Sequence, residues 1–64
     1  MKQKHLLVVT NPINPAYYRD VIVTGDVTQS HIDRAIETLD DSTPLGLVPD
    51  SKADYYINIS PYKK

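Results

Sequence analysis

Cysteine is absent from this 64-residue chain, which excludes disulfides and thiolate metal sites. Glycine is scarce. Gly25 and Gly46 are the only two, and they cannot build a glycine-rich loop that cradles phosphate. Histidine is limited to His5 and His31, far apart in the chain and without the spacing of metal ligands. Long apolar runs are missing as well. Basic residues precede Leu6 to Val9, but that run is too short for a membrane span or for the hydrophobic part of a signal peptide. The sequence therefore predicts a soluble, cytoplasmic protein with no membrane association. In that setting the glycosylation-like triplet at Asn58, followed by Pro61, has no consequence.

A chain of this length forms one small domain, residues 1–64, and buries only about 60% of the surface it exposes when unfolded. Small domains usually gain stability from disulfides, a metal or a partner subunit. With the first two unsupported, good packing or association with another chain is left.

Net charge is -1, but it is unevenly spread. All eight acids lie between Asp20 and Asp54, where only Arg34 and Lys52 oppose them. Lys2, Lys4 and Arg19 precede this segment, and Lys63 and Lys64 follow it. An acidic middle between basic ends bears on partners and solubility rather than on fold.

Residues 4–10, KHLLVVT, form a short run with apolar residues on both faces, Leu6 and Val8 on one and Leu7 and Val9 on the other. Such a run predicts a central strand. Residues 17–25, YYRDVIVTG, predict a second strand ending at a Gly25-Asp26 turn. Tyr17, Arg19, Val21 and Val23 share one of its faces, and Tyr18, Asp20, Ile22 and Thr24 the other. The segment that follows is helical in period: Ile32, Ala35, Ile36 and Leu39 fall at i, i+3, i+4 and i+7. Thr28 is placed to cap a helix over 28–40, with Ser30 and Asp33 as a competing cap, and Val27 and Ile32 have the spacing of a hydrophobic staple. Residues 42–53 read as a proline-bearing loop in which Leu45 and Leu47 are expected to dip into the core or to form an edge strand. Residues 54–60, DYYINIS, alternate as a half-buried strand.

These elements predict a single α+β domain of β-β-α-β order. Its three-stranded antiparallel sheet has order 2-1-3, with one helix on one face and a right-handed crossover between parallel outer strands. Val21, Val23, Tyr55, Ile57, Ile59 and one pair from the first strand are expected to meet the helical stripe. The two Asn-Pro pairs in TNPINP give a stiff, non-helical connection between the first two strands. A turn accounts for them, although a rigid exposed loop also suits a contact.

No catalytic constellation is present. Ser30 and His31 are adjacent on a helix and point in different directions, and Asp40, Asp41, Asp50 and Asp54 match no calcium-loop spacing. No enzyme activity and no cofactor is expected. Two surfaces stand out instead. One is the sheet face away from the helix, with Tyr18, Ile22 and Tyr56. The other is the acidic polar side of the helix, with Asp33, Glu37, Asp40 and Asp41, where the helix dipole disfavours negative charge. Tyrosine-bearing patches suit docking on another protein. Pairing with a second copy is an alternative. So is single-stranded nucleic acid stacked on the tyrosines with the terminal lysines Lys2, Lys4, Lys63 and Lys64 near phosphates, which the overall acidity disfavours. In size and β-β-α-β layout the chain resembles some small phage-encoded inhibitors of bacterial enzymes, RNA polymerase among them. The resemblance implies a protein-binding inhibitor or modulator.

Overall fold

The computed structural model describes residues 3–63. Lys2 and Lys64, expected at the sheet ends, lie outside the described residues. Strand β1 (Lys4–Thr10) lies between β2 (Tyr18–Thr24) and β3 (Tyr56–Pro61), in the order β2-β1-β3. Both pairings are antiparallel, so the two outer strands run parallel to each other. Helix α1 (Gln29–Asp41) packs on one face. The α+β architecture and the strand order are those the sequence predicts.

The register decides which side chains share a face, because residues directly opposite in a ladder point the same way. Leu7 faces Val21 on one side and Ile59 on the other, and Val9 faces Arg19 and Ile57. Leu7 and Val9 are the fully buried pair of β1, so this is the helix face. With Val23, Ala35, Ile36, Leu39 and Tyr55 they form the core, and Tyr17, Val21, Val27 and Ile32 pack around it. Each fully buried leucine, valine or isoleucine contributes about 1.5–3 kcal/mol by leaving water.

One expectation is corrected here. Ile57 and Ile59 do not meet the helix: they are 42% and 48% exposed. The cause is lateral. Residues 25–28 join β2 to α1 by a short connection, turning at Gly25 with a positive φ of 88°, and this tethers the helix over β2 and β1. The sheet is wider than one helix, so the β3 side of the same face stays open.

Helix α1 starts at Thr28, the expected cap, in extended conformation. His31 occupies the position that glutamate takes in a capping box; its Nδ1 accepts the Thr28 N–H at 3.0 Å. His5 Nδ1–H donates to the Gly25 carbonyl at 2.8 Å. Both histidines thus have local backbone tasks at the same end of the sheet. The loop after α1 also departs from expectation. Leu45–Leu47 is a single 3-10 turn rather than a strand, and Leu45 is 91% exposed, because Pro44 and the turn point it away from the sheet. A second 3-10 turn, Lys52–Asp54, leads into β3.

The C-terminus of α1 is tied to the start of β3. The Tyr55 hydroxyl donates to Asp40, and the Thr43 hydroxyl donates to the Leu39 carbonyl at 2.7 Å. Burial pushes the Tyr55 phenol well above the usual tyrosine range, and the hydrogen bond to Asp40 and its charge act in the same direction. The folded chain therefore holds this proton more tightly than the unfolded chain, which releases it near pH 10. The associated stability is complete below that pH and is lost as pH rises above it. Tyr55→Phe should lower stability by about 1–2 kcal/mol at neutral pH and make the alkaline decline shallower. Urea titrations of both proteins between pH 7 and 11 check this, and parallel alkaline declines would contradict it.

Candidate binding surface

The sheet face opposite α1 is built from alternate residues of all three strands. Its rows follow from the register: Tyr18, Thr10 and Tyr56; then Asp20, Val8 and Asn58; then Ile22, Leu6 and Ser60. Lys4 and Thr24 begin a fourth row, where the Tyr62 N–H donates to the Lys4 carbonyl at 2.9 Å. Tyr56, Tyr18 and Ile22 are 64%, 59% and 50% exposed, and Leu6 and Val8 are half-buried. The three residues the sequence assigned to this face thus share it. Two tyrosines flank a central threonine at one end, an acid and an amide hold the middle, and an aliphatic pair and a lysine hold the other end.

The Asn-Pro connection joins the tyrosine end. Asn11 is fully buried and organises the loop with its side chain. Oδ1 accepts the N–H groups of Ile13 (2.8 Å) and Asn14 (2.9 Å), and Nδ2 donates to the Leu47 carbonyl at 2.9 Å. One amide therefore shapes its own loop and pins the loop that follows α1 against it. The result is an open hollow beside Tyr56, lined also by Pro12, Ile13, Val48, Pro49, Asp50 and Asp54. Ile13 is 53% exposed at its rim. The TNPINP stretch is thus a turn whose outer side forms part of a concave surface. Asp50 and Asp54 bring acidity to the tyrosine end, a role that the sequence pattern does not assign to them. Its signal is weak, since the two acids are separated from Tyr18 and Ile13 by the length of the helix.

The acids of the helix are placed differently. Asp40 is occupied by Tyr55, Glu37 lies 3.7 Å from Lys52 in an exposed ion pair, and Asp33 accepts from the Gln29 side chain at 3.0 Å. Asp41 is exposed at the helix end. These four do not adjoin the tyrosine rows. A smaller groove between α1 and β2 is lined by Arg19 and Arg34 with Val21, Ala35 and Thr38. Among the described residues no three His, Asp or Glu side chains are grouped to hold a metal ion, and no helix is long and apolar enough to cross a membrane.

Comparison with known proteins finds no matching family model, no similar curated protein and no similar solved structure.

Proposed function

We propose that the protein is a non-catalytic binding module, a small inhibitor or modulator of another protein, that docks through the open sheet face and the adjoining hollow. The observation that supports this reading is the juxtaposition of exposed Tyr18, Tyr56 and Ile13 with the acids Asp50 and Asp54 at one end of the sheet. Rigid aromatics supply contact area at low entropic cost, and acids at the rim speed encounter with a basic partner. The partner that fits is a protein segment with an apolar anchor flanked by lysine or arginine.

A second reading, single-stranded nucleic acid, has one observation in its favour. Tyr18 and Tyr56 stand on the same row of an open sheet, as a stacking platform would. The charge around them opposes it, because Asp20, Asp50 and Asp54 lie near the tyrosines and Lys4 lies at the far end.

The two readings separate in a binding assay on the whole chain. Affinity capture that survives nuclease treatment, together with a loss of about tenfold or more in affinity for the captured protein in Tyr56→Ala, is the expected result. Asp54→Lys should chiefly slow association, with a smaller effect at high salt. Oligonucleotide binding that falls steeply with salt would instead establish the second reading.

A further inference from the structure

Among the described residues strand β3 has a free edge, and the register shows what that edge offers. The Tyr62 N–H bonds to the Lys4 carbonyl, and bonding alternates along an antiparallel ladder. The backbone groups of Ser60, Asn58 and Tyr56 therefore point toward β1, and those of Ile57 and Ile59 point outward. Pro61 also points outward but has no N–H, and the Tyr55 N–H is already bonded to the Lys52 carbonyl. The edge thus presents two free donor–acceptor residues, Ile57 and Ile59, closed off at both ends.

The two outer strands are defended unequally. β2 carries the exposed charges Arg19 and Asp20; charged side chains are a usual protection of an edge. β3 has no charge from Tyr55 to Tyr62. On the helix face it exposes the two isoleucines that α1 fails to cover. The strand also has a charge polarity, with Asp50 and Asp54 before it and Lys63 after it.

We propose that β3 is a self-pairing edge: two copies join antiparallel through Ile57 and Ile59 to give one continuous six-stranded sheet. In this register Ile57 bonds to Ile59 of the second copy and the reverse, so the contact is two-fold symmetric. Asn58 faces Asn58 of the second copy across the axis. The antiparallel direction brings Lys63 of each copy to the Asp54 end of the other, whereas a parallel pairing would set like charges together. On the helix face the four isoleucines close over one another between the two helices and lose their contact with water. The remaining outer edges are the charged β2 strands, so pairing stops at two copies. The tyrosine rows stay open in the dimer. Asp54 borders both surfaces, so the discriminating substitution is Ile59→Lys, at a residue the binding reading does not use.

Sedimentation of the full chain over a concentration series tests it. A monomer–dimer equilibrium is expected, and Ile59→Lys should weaken it by more than about tenfold, since like charges would then face the axis. Ile59 is already half-exposed, so circular dichroism should show that this variant remains folded. The absence of cysteine permits a direct test of register. Asn58→Cys should form a disulfide-linked dimer on mild oxidation, and Thr24→Cys on the β2 side should not. A chain that sediments as a monomer throughout, or a dimer unaffected by Ile59→Lys, would overturn the proposal. So would a dimer dissociated by Tyr18→Ala, which would place self-association on the open sheet face.

Discussion

Ile36→Asp should leave the chain unfolded at 25 °C. Ile36 is 1% exposed, in the middle of the apolar stripe of α1, within the cluster that holds Leu7, Val9 and Leu39. Replacing it removes about 2–3 kcal/mol of apolar transfer. It also forces either an unpaired carboxylate or a neutral acid into an apolar site, at a further cost of several kcal/mol. A domain of this size is held by roughly 3–10 kcal/mol in all, so the loss is comparable to or larger than the whole. Loss of the helical circular dichroism signal and of any cooperative thermal transition is the expected result. Ile36→Val, which only thins the contact, should cost about 0.5–1.5 kcal/mol and keep the transition. A cooperative, soluble Ile36→Asp protein would show that α1 does not pack on the sheet through this stripe.

The second large effect is expected at Asn11. Its amide makes three hydrogen bonds with no exposure to solvent. Asn11→Ala leaves the N–H groups of Ile13 and Asn14 and the carbonyl of Leu47 without that partner. Water reaches part of the exposed loop, so the summed loss is about 2–4 kcal/mol. Asn11→Asp keeps the two accepted bonds but sets a carboxylate oxygen against the Leu47 carbonyl in a buried site, and it should destabilise at least as much. The check is a lower urea midpoint in both variants with an unchanged slope. Midpoints equal to that of the unsubstituted chain would show that the two loops hold each other by other means. Because the same amide shapes the hollow beside Tyr56, residual folded Asn11→Ala should also bind a partner of the tyrosine end more weakly.

Much of the fold was legible because its signals are local and periodic. The β1 pattern is apolar on both faces, and this alone argued for a central position. The i, i+3, i+4, i+7 stripe and the Thr28 cap located α1 to within a residue at each end. Alternation in β2 and β3 assigned Tyr18, Ile22 and Tyr56 to one face, and the register agrees. The helix acids were equally visible, but the sequence did not show that Asp40 bonds to Tyr55 or that Glu37 lies beside Lys52. Those pairings depend on where the loop after α1 returns, and no local pattern encodes that path.

By itself, then, the sequence determined which residues face which way and the order in which the strands lie. Periodicity and turn chemistry act within a few residues, and binary pattern selects a face. Tertiary structure alone decided the lateral placement of α1, which leaves Ile57 and Ile59 open. It also decided the burial of Asn11 against Leu47 and the meeting of Asp50 and Asp54 with the tyrosine end. These features rest on contacts between residues far apart in the chain, and on the length of a connection relative to the width of a sheet. A hydrophobic pattern carries the direction of a side chain but not the position of the element that will cover it.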